Sequence, residues 1–171
     1  MDTRRRLTLL RHGKASEPEA GEADFDRPLT PRGIRQAEEM AQRLVAAGRT
    51  PDLILASPAK RAWTTAAIVA RIAAIAPGRL RAEPDLYQAA PGTIWRIATE
   101  RGRDAAHVLV CGHNPGLSEL AGRFGPRPRD RGLPTAGLAS AVWAADDWIA
   151  LLPEDALACD LDAPAKASDR R

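Results

Sequence analysis

Short apolar runs alternate with amphipathic stretches along most of this chain, and the alternation predicts an α/β fold. Leu7-Thr8-Leu9-Leu10 reads as a buried strand that stops abruptly at Arg11-His12-Gly13-Lys14. Residues 15–28 have no helical or strand period, and their acids (Glu17, Glu19, Glu22, Asp24 and Asp26) suggest a solvated loop. Thr30-Pro31 has the pattern of an N-cap followed by proline at the first helical position. Ile34, Ala37, Ala41, Leu44 and Val45 then recur at helical spacing up to a stop at Gly48. Leu53-Ile54-Leu55-Ala56 is a second strand, and Ser57-Pro58 predicts a second cap. The helix that follows, over 59–76, would bury Trp63, Ala66, Ala67, Ala70 and Ile72 and end at Pro77-Gly78.

A third strand is expected over 79–83 and a third helix over 93–101. His107 opens a fourth strand, His107-Val108-Leu109-Val110-Cys111, which ends in Gly112-His113-Asn114-Pro115. Asn114 is placed to cap a fourth helix carrying Leu117, Leu120, Ala121 and Phe124. Residues 125–133 are rich in Pro, Arg and Gly and read as a loop, and residues 138–142 and 148–152 as antiparallel strands around Ala145-Asp146-Asp147. Beyond about residue 160 the apolar period is lost, so residues 161–171 are expected to form a flexible tail. The implied architecture is a three-layer α/β/α sandwich with a mostly parallel central sheet, in one domain over residues 1–160.

Composition narrows the function classes. The 171 residues contain no apolar run of membrane-spanning length. Arg4-Arg5-Arg6 leads straight into a strand without a signal-peptide pattern, so a cytoplasmic location is expected. Cys111 and Cys159, the only cysteines, form neither a metal-ligand spacing nor a disulfide framework. The net charge of +3 comes from scattered arginines, with clusters only at Arg4 to Arg6 and Arg170-Arg171. One tyrosine and two phenylalanines give no stacking stripe, which argues against a nucleic-acid partner.

The polar groups that break the apolar pattern sit where open α/β sheets bind ligands, at the carboxyl ends of strands. They are Arg11 and His12 after the first strand, Arg61 in the first turn of the second helix, and His113 after the fourth strand. Two arginines and two histidines at one edge suit a phosphoryl group, because guanidinium forks match its oxygens and stay charged at any working pH. The helix N-terminus beside Arg61 adds backbone donors, and histidine can accept the group covalently. Other phosphatase chemistries fit poorly. Cys111 is followed by Gly-His-Asn-Pro-Gly and then Leu117 where a cysteine phosphatase needs arginine, and Asp24-Phe25-Asp26 has no apolar strand before it. No glycine-rich nucleotide loop or metal-ligand cluster is present, so no cofactor or metal is implied. Ser57 lacks a nucleophile elbow and reads as a cap, and Trp63, Trp95, Trp143 and Trp148 read as packing residues.

Three motifs in this order, Arg11-His12-Gly13, Ser57-Pro58 with Arg61 and Thr64-Thr65-Ala66, and Gly112-His113-Asn114, resemble the histidine phosphatase superfamily. Arg27-Pro28-Leu29-Thr30, Gly33 and Leu86-Tyr87 add a likeness to its small SixA-type phosphohistidine phosphatases. The resemblance implies a phosphoglycerate mutase-like fold, with His12 as nucleophile, Arg11 and Arg61 as phosphate clamps, and His113 as a further phosphate contact. Asn114 and Lys14 are secondary candidates for substrate contact. Many members also carry a glutamate that protonates the leaving group. In the corresponding region Gln88 stands where a carboxylate is expected, leaving Glu83 and Asp85 as candidate acids. An imidazole leaves with less help than an alkoxide, so a weak acid favours phosphohistidine on a partner protein as substrate. The alternatives are a small-molecule phosphomonoesterase, a mutase, and a phosphate- or phosphoprotein-binding module without turnover.

Overall fold

The computed structural model describes residues 3–125 and 132–166. Its elements in chain order are β1 (Arg4–Arg11), α1 (Pro31–Ala46), β2 (Leu53–Ala56), α2 (Lys60–Ile72) and β3 (Leu80–Ala82). They continue with α3 (Pro91–Arg101), β4 (His107–Gly112), α4 (Gly116–Ala121), β5 (Leu138–Ala144) and β6 (Ala158–Asp162). The strands form a sheet in the order β3-β2-β4-β1-β5-β6. The first four in that order run parallel, whereas β5 and β6 are added antiparallel beyond β1.

Side-chain alternation along the strands divides the core in two. Leu7, Leu9, Leu53, Leu55, Val108 and Val110 face α3 and α4, and pack with Ile94, Ile97, Leu117 and Leu120. Leu10, Ile54, Ala56, Leu109 and Cys111 face the other way, toward Met40 and Leu44 of α1 and Ala62, Ala66 and Val69 of α2. β2 and β4, covered on both faces, are buried along their whole length and almost wholly apolar; the exception, His107, is hydrogen-bonded to Thr8 at 2.8 Å. Trp95, Trp143 and Trp148 close the α3 side with Phe124, their ring centroids 5.4–6.5 Å apart. Trp63 packs against the other cluster. Among the described residues no helix is long and apolar enough to cross a membrane.

Several local expectations are corrected. Residues 148–152 are not a strand; the partner of β5 is β6, whose last two residues, Leu161 and Asp162, fall in the segment expected to fray. β6 has no apolar period because an edge strand leaves one side to water; its backbone pairs with β5, and surface ion pairs join it to Arg43 (Asp162, 2.7 Å) and Arg49 (Asp160, 2.8 Å). Ile34 and Val45 lie on the exposed side of α1, whose buried stripe is Gly33, Ala37, Met40, Ala41 and Leu44. Neither Ser57 nor Asn114 caps its helix, since α2 begins at Lys60 and α4 at Gly116 without side-chain caps. Thr30 does cap α1, its Oγ1 accepting from the Gly33 amide at 3.0 Å. Most of the loop expected over 125–133, the end of the tail and the Arg170-Arg171 cluster lie outside the described residues.

Gly33 ties the first helix to the strand end that carries His12. A Cβ there would run into the Lys14 carbonyl oxygen, and one on Gly13 into the Gly33 carbonyl. Both obstacles are backbone, which cannot swing aside. Gly33→Ala is therefore expected to lower stability by about 1–3 kcal/mol in urea denaturation, through forced separation of the 13–14 turn from α1.

Candidate active site

The site forms at the carboxyl ends of the parallel strands. β1 and β4 are in-register neighbours with Arg11 opposite Gly112, so the residues that follow each strand, His12 and His113, emerge side by side. Their rings lie 5.3 Å apart, centroid to centroid. The backbone of His12 is held on two sides: its N–H donates to the Gly112 carbonyl at 3.2 Å, and its carbonyl accepts from the Ala136 amide at 2.9 Å. Thr65 joins this turn to α2, because its Oγ1 accepts from the Gly13 amide at 3.1 Å and donates to the Arg61 carbonyl at 2.8 Å.

Hydrogen bonds define the His12 tautomer. Nδ1 is 2.8 Å from the Gly13 carbonyl, an acceptor only, so Nδ1 carries the proton and Nε2 the lone pair. Nε2 accepts from Arg61 Nε at 3.3 Å. Burial pushes the His12 pKa down to about 4, and the Arg61, Arg11 and Arg27 charges act in the same direction. Burial also depresses His113, to about 3, helped by His12 and the arginines. Both rings are thus neutral near pH 7, the form an imidazole needs to act as a nucleophile.

His113 Nε2 lies 2.8 Å from Ser57 Oγ, so Ser57 orients this ring. Nδ1 of His113 is buried without a partner, as is Nε of Arg11. The other end of the Arg11 guanidinium is anchored, Nη1 donating to the Leu133 carbonyl at 3.0 Å. Asn114 Nδ2 donates to the same carbonyl at 2.9 Å, and Asn114 Oδ1 accepts from Ser118 Oγ at 2.6 Å. The Lys14 side chain is exposed, and its amide donates to Gln36 Oε1 at 2.9 Å. Arg11, His12, Arg61 and His113 therefore come together, with Asn114 braced behind Arg11 and Lys14 outside.

The carboxylate joined to this group is Asp24, in the loop read as merely solvated. Arg61 Nη2 donates to Asp24 Oδ2 at 2.9 Å and Arg61 Nη1 to the Asp24 carbonyl at 2.6 Å. Tyr87 donates its hydroxyl to the same Oδ2 at 2.8 Å, and Arg27 Nη1 donates to Oδ1 at 2.9 Å. Tyr87, Arg27 and Arg61 together hold Asp24 well below the usual carboxylate range, and the hydrogen bond to Asp24 raises Tyr87. The Tyr87 ring meets His113 edge-on at 5.5 Å. His12, Arg61, Asp24, Tyr87 and His113 thus form a closed circuit of contacts. Of the candidate acids, Glu83 faces Arg101 with Oε1 3.5 Å from Nε, and Asp85 is exposed. Asp24 was visible as one acid of the 15–28 loop and as part of Asp24-Phe25-Asp26; Arg27 and Tyr87 lie in the two short motifs noted above.

Comparison with known proteins bears on the family and the fold. The model of the histidine phosphatase superfamily (branch 1) matches residues 7–92. An uncharacterized protein of Mycobacterium tuberculosis is 41% identical over 112 residues, covering 66% of this chain and 67% of that protein. The crystal structure of a protein provisionally identified as the phosphohistidine phosphatase SixA of Agrobacterium tumefaciens superposes with a TM-score of 0.76 at 30% identity, covering 94% of this chain and 99% of the other. The protein histidine phosphatase SixA complexed with tungstate superposes with a TM-score of 0.68 at 27% identity, covering 80% and 86%.

The depressed imidazoles set a pH prediction. His12 and His107 titrate near pH 4 and His113 near 3 in the fold, against about 6.5 in the unfolded chain. Between those values the unfolded state binds more protons, so this contribution to stability is full above about pH 6.5 and declines as the pH falls toward 4. Nitrogen-detected NMR of the three histidines should show neutral rings at pH 6, with His12 protonated on Nδ1. An imidazolium at His12 at that pH would contradict the assignment.

Proposed function

The chain belongs to the histidine phosphatase superfamily, and on that premise we propose that it removes a phosphoryl group through a covalent intermediate on His12 Nε2, with phosphohistidine on a partner protein as its substrate. The observation that carries this reading is the geometry of His12: the Nδ1 proton rests on the Gly13 carbonyl, and the Nε2 lone pair meets Arg61 Nε at 3.3 Å.

In the first step Nε2 attacks phosphorus, a P–N bond forms, and the bond to the leaving group breaks. Arg61 transfers its Nε donor from His12 to a phosphoryl oxygen, and Arg11 supplies its buried Nε on the other side. His113, with Nε2 on Ser57, turns its buried Nδ1 to the transferring group. The Gly13 carbonyl keeps the Nδ1 proton in place and stabilises the positive charge that His12 gains. Water then attacks phosphorus in the second step, releasing phosphate and restoring neutral His12. The positive charge that phosphoryl transfer requires comes from Arg11 and Arg61, so the reading includes neither metal nor cofactor.

Two points favour a phosphorylated imidazole as substrate. Glu83 is engaged with Arg101 and Asp85 is exposed to solvent, whereas an alcohol leaving group needs a well-placed acid. A protein whose name, protein histidine phosphatase SixA, states such a substrate is similar to this chain over 80% of its length.

The test is phosphate release, with a chelator present, from phosphohistidine and from an aryl phosphate. The expected result is chelator-resistant release that favours phosphohistidine. His12→Ala should reduce it by at least about 10³-fold, and Arg61→Ala by about 10²–10³-fold. Preference for the aryl ester would move the assignment to a general phosphomonoesterase, and release from neither substrate to a binding module.

A further inference from the structure

Asp24 accepts from three side chains, Arg27 on Oδ1 and Arg61 and Tyr87 on Oδ2. A carboxylate offers about four lone-pair sites, so one acceptor position remains. The Asp24 side chain is 44% exposed, and the position is therefore reachable from outside. Beside it runs a file of rings, in which Phe25 meets Tyr87 edge-on at 5.1 Å and Tyr87 meets His113 edge-on at 5.5 Å. An ionised acceptor next to aromatic edges, one contact from the Arg61–His12 pair, is a place for a flat group that carries an N–H.

Resting on the phosphohistidine reading above, we propose that Asp24 determines leaving-group specificity: it accepts a hydrogen bond from the far ring nitrogen of the phosphorylated imidazole, while Tyr87 and Phe25 flank that ring. Such a ring is bonded to phosphorus through one nitrogen and carries a proton on the other. As His12 Nε2 forms its bond to phosphorus, the substrate P–N bond breaks and its electron pair stays on the departing nitrogen. The far nitrogen keeps its proton, and the ring leaves as neutral imidazole. No proton transfer is needed, and Asp24 remains a carboxylate throughout, consistent with the donors that keep it ionised. Its contribution is to favour the protonated ring, the form that leaves easily. A phenol or alcohol leaving group offers no N–H to this acceptor.

The experiment compares wild type, Asp24→Asn and Asp24→Glu by the ratio of kcat/KM for phosphohistidine to kcat/KM for an aryl phosphate, across pH 6–9, after thermal melts confirm folding. Because Asp24 also holds Arg61, both rates can fall in Asp24→Asn; the ratio separates the two effects. The expected result is a drop in the ratio of about 10-fold to 100-fold, the usual span for a hydrogen bond to a charged group. The alkaline limb for phosphohistidine should also move to lower pH in Asp24→Asn, while Asp24→Glu recovers part of the ratio. A ratio unchanged in Asp24→Asn, with wild type still preferring phosphohistidine, overturns the role of Asp24 and leaves the proposed function standing. A wild type that prefers the aryl phosphate overturns the substrate reading itself.

Discussion

A buried imidazole beside guanidinium groups must be neutral, and the rest of this site follows from that constraint. Burial and three nearby arginine charges push the His12 pKa down to about 4, so the ring stays neutral at a pH where a free imidazole would be charged. Which nitrogen keeps the remaining proton is then decided by the Gly13 carbonyl, directly next in the chain. The nitrogen that keeps a free lone pair is therefore selected by a backbone atom whose position the Arg-His-Gly turn dictates. Gly13 is required there because a side chain would collide with α1.

The sheet makes this local arrangement possible. Parallel pairing of β1 with β4, in register to their ends, places His12 next to His113 although they are far apart in sequence. Pairing of β2 with β4 brings the start of α2, and with it Arg61, to the same edge. Ser57 and Thr65 then connect these elements through side chains: one holds the His113 ring, and the other links the His12 turn to Arg61. Small polar residues that local reading assigns to caps or helix faces are in fact the joints between strand ends.

The strand and helix alternation was legible because both periodicities are strong in the buried elements: β1, β2 and β4 are apolar where predicted, and Thr30 caps α1 as its sequence pattern indicates. The convergence of Arg11, His12, Arg61 and His113 was legible from strand ends together with a motif resemblance. Asp24 was not, because an acid in an aperiodic loop looks the same whether it faces water or a guanidinium 37 residues away. Ser57 was read as a cap since Ser-Pro before a helix usually is one, yet its hydroxyl is committed across the sheet. β6 escaped notice because an edge strand paired through its backbone to β5, with its side chains largely in water, needs no alternation of apolar residues.

That edge strand also restricts how other chains can approach. At one margin of the sheet β3 is only three residues long, and at the other β6 carries Asp160 and Asp162, each tied to an arginine. Short strands and charged side chains at a sheet edge discourage backbone pairing with a second polypeptide. The protein thus has little capacity for strand addition, either as self-association into ribbons or as a way of gripping an extended peptide. A polypeptide that engages it would meet side-chain chemistry at the loop end, where Phe25 and the Asp24 carboxylate reach the surface, and not main-chain pairing at the sheet edges.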